Sequence, residues 1–92
     1  MPRLSRAIGD YIVIEALAAQ TSLSPGQIES SLSIDALGLD SVAKQRTHDQ
    51  IVRTVDSIGF RTTFSIDAFS DAKTVGDLTD LLLATTDGGG RR

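Results

Sequence analysis

The chain has 92 residues, 40% of them apolar, no cysteine, a single histidine (His48) and a net charge of −3. That length supports one small domain, and the missing cysteines exclude disulfide scaffolds, thiolate metal sites and cysteine nucleophiles. Twelve carboxylates against nine basic groups argue against a nucleic-acid partner, whose phosphates call for a basic excess.

No apolar run approaches the roughly 18 residues that span a bilayer. Asp10 and Glu15 interrupt the one N-terminal segment that resembles a leader. The expectation is a cytoplasmic protein with no membrane partner. With one histidine and scattered carboxylates, no metal site and no close acid–base pair is expected.

In chain order, residues 4–20 carry Leu4, Ile8, Tyr11, Ile12, Ala16 and Leu17 at three- and four-residue steps, which predicts one helical stripe. Gly9 weakens that helix by about 1 kcal/mol relative to alanine. Residues 21–40 read as a long loop. Ser24-Pro25-Gly26-Gln27 has the form of a capping box with proline at the first helical position, and Leu23, Ile28, Leu32, Ile34 and Leu37 are spaced to pin the loop to a core.

A second long helix is predicted from Ser41, with Asp40 as its N-cap and Gly59 as its stop. Ile51, Val55 and Ile58 form its apolar stripe, and its middle turn, residues 44–48, is polar. Phe60 to Phe64 reads as a connector with two aromatic anchors, and Ser65 caps a short turn through Phe69. Thr74-Val75-Gly76-Asp77 is a second capping box, opening a last helix with Val75, Leu78, Leu81 and Leu82 on its apolar face. Residues 85–92, with Gly88-Gly89-Gly90, have nothing to bury and are expected to be a disordered tail. The fold class is therefore all-α: one domain over residues 1–84, a bundle of three main helices and one short one.

The segment Leu37-Gly38-Leu39-Asp40-Ser41-Val42 places a serine in the first turn of a helix, directly after a tight glycine turn. The aspartate does the capping, so Ser41 is left free. Unpaired amides and the positive end of the helix dipole favour an attached phosphate at that position. By itself, Asp40-Ser41 also reads as an ordinary cap pair.

In this motif the chain resembles the acyl carrier proteins, whose attachment site for 4′-phosphopantetheine has the same Leu-Gly-Leu-Asp-Ser run. The resemblance covers residues 8–84. Ile8-Gly9-Asp10-Tyr11-Ile12-Val13 looks like the first helix of polyketide synthase carrier domains, Ser24-Pro25-Gly26-Gln27-Ile28 like the turn before the long loop, and Thr74-Val75-Gly76-Asp77-Leu78 like the start of the last helix. It implies an acyl-carrier-like four-helix bundle that is a monomer and not an enzyme. Ser41 would carry the arm, derived from coenzyme A. Asp40 would assist the phosphopantetheinyl transferase, and Leu39 and Val42 would be first contacts for ketosynthase, acyltransferase and other synthase partners. Peptidyl carriers usually have glycine where Leu39 stands, so acyl cargo is implied, with a peptidyl or starter-unit carrier as the nearest alternative. A helical interaction module that is never modified is the alternative from a different class.

The chain departs from the family in two ways. The family's second helix is often acidic, whereas residues 41–58 hold Lys44, Arg46 and Arg53 against Asp49 and Asp56; the three cations are expected either to dock partners or to form a solvated face. The separation from Ser41 to Thr74 is also longer than is usual in the family. His48 and Asp49 suggest a triad with Ser41, but seven helical residues are about 10 Å of rise, beyond hydrogen-bond reach. A partly buried structural histidine is the expectation. Ile51, Phe64 and Phe69 are expected near a cleft sheltering part of the cargo.

Overall fold

The computed structural model describes residues 4–87. Four helices occur in the order α1 (Arg6–Ala19), α2 (Ser41–Ser57), α3 (Ala68–Asp71) and α4 (Val75–Ala84). Two short strands, β1 (Arg61–Thr62) and β2 (Thr86–Asp87), pair antiparallel with Arg61 opposite Asp87 and Thr62 opposite Thr86. The molecule is mostly helical, as the sequence pattern predicts, and no helix among the described residues is long and apolar enough to cross a membrane.

Helix α1 starts two residues later than its apolar pattern suggests. Ser5 caps it by accepting from the Ile8 amide at 3.2 Å, and Leu4 is buried ahead of the helix. The buried face is also rotated from the predicted stripe. Gly9, Ile12, Val13, Ala16 and Leu17 face the core, whereas Ile8 and Tyr11 are 46% and 65% exposed. Gly9 is the physical reason. A Cβ there would lie 3.0 Å from Leu83 Cδ2 and 3.3 Å from Thr79 Cγ2, so α4 packs closely against α1 on the glycine face and turns the neighbouring positions outward.

The core joins that face of α1 to Ile51 and Val55 of α2, Phe69 of α3 and Val75, Leu78 and Leu82 of α4. Thr47 and Thr79 are also fully buried. Their hydroxyls donate to the carbonyls of Ala43 (2.8 Å) and Val75 (3.3 Å), one turn back in their own helices. That satisfies a polar group that would otherwise be costly to bury.

The long loop is held by the start of α4. A helix leaves its first amides without internal partners, and here the Val75 amide donates to Leu32 O (2.9 Å) and the Gly76 amide to Ser30 O (2.8 Å). Thr74 Oγ1 accepts from the Asp77 amide in a complete capping box. A Cβ on residue 76 would stand 3.1 Å from Ser30 O, so the close backbone approach requires glycine. Ile28 and Ile34 seal the loop into the core, and the first capping box at Ser24 and Gln27 forms as predicted.

The stop at Gly59 is also present, with φ of +91°. Ser65 Oγ accepts from the Asp67 amide at the entry to α3. In the connector, Phe64 is buried and Phe60 half-buried.

The expected disordered tail needs correction over residues 85–87. The Thr63 amide and the Thr62 hydroxyl donate to Thr85 O (2.8 and 3.1 Å), and Thr86 Oγ1 donates to Leu82 O and lies 3.0 Å from Thr62 Oγ1. Hydroxyls and ladder bonds, rather than apolar burial, order this segment, which is why hydropathy alone missed it. The rest of the expected tail lies outside the described residues.

Ending the chain after Ala84 should lower unfolding stability by about 1–3 kcal/mol, since it removes several hydrogen bonds to the connector. Urea midpoints of the two lengths check this. An unchanged midpoint would restore the disordered-tail reading.

Candidate functional site

The 3₁₀ turn Asp35–Leu37 closes on Gly38, which has φ of 66° and ψ of 30°. This left-handed conformation costs an L side chain about 1–2 kcal/mol, so glycine is the natural occupant. Leu37 and Leu39 pack half-buried against the core on either side of the turn, which fixes where the chain re-emerges. Asp40 is then extended, and its Oδ1 accepts from the Ala43 amide at 2.8 Å. Its carbonyl accepts from the Lys44 amide at 2.9 Å and begins the α-helical ladder.

This arrangement leaves Ser41 available. The residue is exposed, and among the described residues its hydroxyl has no hydrogen-bond partner. The amides of Ser41 and Val42 are likewise uncommitted, because the cap serves Ala43. Val42 beside it is 59% exposed. One hydroxyl, two free backbone donors and the positive end of a 17-residue helix therefore meet at the surface, a donor set that suits a phosphate ester. Asp40 holds its carboxylate on the cap.

The structure separates the three cations of α2. Arg46 and Arg53 are exposed and line one open groove with Gln20, Asp49 and Gln50. Lys44 is half-buried, outside that groove, and about 200° around the helix from Arg46. The arginine pairing is legible in the seven-residue spacing. Gln20 is not, because it reaches the groove only through the packing of α1 on α2.

His48 has the structural role expected of it. Its Nε2 lies 2.9 Å from Phe64 O and its Nδ1 3.1 Å from Asp49 Oδ1, and its ring stacks on Phe64 at 5.9 Å. Phe64 in turn meets Phe69 edge-on at 6.4 Å. Neither ring nitrogen is directed to Ser41, so no triad forms. Ile51, Phe64 and Phe69 are core residues, buried to 4% exposure or less. Among the described residues, no three histidines or carboxylates gather into a metal-binding group.

Hydrogen bonds from His48 first, and then from Gln45, hold the Asp49 carboxyl below the usual carboxylate range. A depressed acid stabilises the fold above its unfolded pKa of about 3.9 and loses that contribution as pH falls through the folded value. No family model, curated protein or solved structure matches the chain.

Two outcomes follow from this geometry. Asp40→Ala should cost about 0.5–2 kcal/mol through loss of the cap, with Asp40→Asn retaining most of it, as denaturant midpoints will show. The stability difference between the native chain and Asp49→Asn should shrink on acidification below about pH 4. A difference that persists unchanged in acid would rule out the carboxylate as its source.

Proposed function

We propose that the chain is an acyl carrier protein, with an acyl-carrier-like four-helix bundle that presents Ser41 for attachment of 4′-phosphopantetheine. The observation that carries this reading is the free Ser41 hydroxyl beside two uncommitted amides, at the start of a helix whose cap is supplied by Asp40 instead. The sequence resemblance supplies the identity of the group. The geometry supports it, because a serine engaged in its own cap would be a poor acceptor.

When bound, the group supplies a terminal thiol on which an acyl chain is held as a thioester, which a cysteine-free chain lacks. The protein's own part is positional. Ser41 Oγ would carry the group, and the uncommitted amides of Ser41 and Val42 would be available to its phosphate. Gly38, with the half-buried Leu37 and Leu39, fixes the start of α2, and Val42 offers an apolar contact at the base of the arm. On this reading the chain is not an enzyme. It acts in the cytoplasm as a monomer, delivering polyketide-type intermediates between ketosynthase, acyltransferase and related enzymes after a phosphopantetheinyl transferase has loaded it.

Incubation with coenzyme A and a broad-specificity phosphopantetheinyl transferase tests the proposal by intact mass. The native chain should gain one phosphopantetheine and Ser41→Ala none. No gain, under conditions that fully modify a control carrier, would favour an unmodified helical interaction module.

A further inference from the structure

The outer face of α2 carries Val42, Arg46, Asp49 and Arg53 at successive steps of four, three and four residues, which align them in one stripe. The stripe starts beside Ser41 and runs about 17 Å along the helix at 1.5 Å per residue. Each of these side chains is exposed. Arg46 and Arg53 line the groove formed with Gln20 and Gln50.

The charges on this stripe are unevenly used. Among the described residues Arg6 pairs with Asp80 and His48 Nδ1 lies 3.1 Å from Asp49 Oδ1, so neither arginine of the groove is in direct contact with a carboxylate. Asp49 stands between them, but its Oδ1 receives the Gln45 amide group at 2.9 Å and faces His48. Arg53 also attracts the Asp49 carboxylate through space, so the groove holds two guanidiniums against one carboxylate, which is still a local reversal of sign in a chain of net charge −3. Guanidinium groups pair with carboxylates in a planar, two-pronged geometry. Gln20 and Gln50 line the same groove and bring neutral carboxamides to it.

We propose that this groove docks the carboxylate-bearing face of a protein partner, such that an enzyme receiving the Ser41 arm sets acidic side chains against Arg46 and Arg53. The inference rests on the carrier reading for the role of Ser41, and it reverses the usual charge of that helix. Lys44 takes no part, being half-buried and outside the groove. A nucleic acid would set continuous phosphate charge against the negative surface beyond the groove, whereas an acidic patch on a protein can be confined to the two arginines.

Amide NMR titration of the full chain tests the proposal. The probes are a short amphipathic helical peptide with glutamates along its polar face, the same peptide with lysines in their place, and a short DNA duplex. The glutamate peptide should shift Val42, Arg46, Gln50, Arg53 and Gln20 in a salt-sensitive manner. Its affinity should fall about fivefold or more in R46E/R53E, as expected for losing two exposed charge pairs. R46K/R53K should retain much of that affinity, and the helical circular dichroism of both variants should match the native chain.

Shifts elsewhere, an equal response to the lysine peptide, unchanged affinity in R46E/R53E, or tighter binding of the duplex would each overturn the proposal. The two readings fail separately. A chain that accepts phosphopantetheine but shows no arginine-centred binding refutes this docking site alone. A chain that binds the glutamate peptide at the arginines, equally well as Ser41→Ala, yet refuses phosphopantetheine refutes the carrier reading alone.

Discussion

The Asp40 cap on α2 is the contact on which the functional reading depends. A helix start must satisfy its amides from somewhere, and the nearest serine is usually a good candidate. Here the carboxylate one residue earlier takes the Ala43 amide, so the Ser41 hydroxyl has no internal duty. The left-handed turn at Gly38 and the half-buried leucines around it make that geometry reproducible. They fix the direction from which the chain enters the helix.

The rest of the fold holds this entry in place. The carbonyls of Ser30 and Leu32 complete the start of α4, so the loop leading to Gly38 is tied to a helix at the opposite end of the sequence. Helix α4 is itself drawn close to α1 at Gly9. From the middle of α2, His48 reaches the Phe64 carbonyl, and beyond the helix the threonines of β1 and β2 bind the connector. Apolar burial supplies most of the cohesion. These polar contacts select where the loop and connector lie, because each would leave a backbone group unsatisfied if displaced.

The sequence was most legible where the chemistry is local. Both capping boxes, the Asp40 cap and the turn at Gly59 depend on residues within a few positions of each other, and each formed where the residue types indicated. The orientation of α1 was less legible, since Ile8 and Tyr11 carry the same periodicity as a buried stripe and only the close approach at Gly9 turns them outward. The order of residues 85–87 and the contribution of Gln20 to the arginine groove come from tertiary contacts between distant segments. Neither leaves a local pattern. At the site, Ser41 and its cap could be read directly, whereas the half-burial of Lys44 required knowing which side of α2 faces the core.

Ser41 differs from the nearby loop serines in its freedom at a capped helix start. Exposed serines at positions 30, 31 and 33 sit in the loop nearby and offer the same functional group without that setting. Fragment-ion mapping of the product made with coenzyme A and a phosphopantetheinyl transferase reads out whether that setting selects the modified residue. The added mass should fall on Ser41 alone; its appearance on a loop serine, or its spread over several, would show that the capped helix start does not select the site.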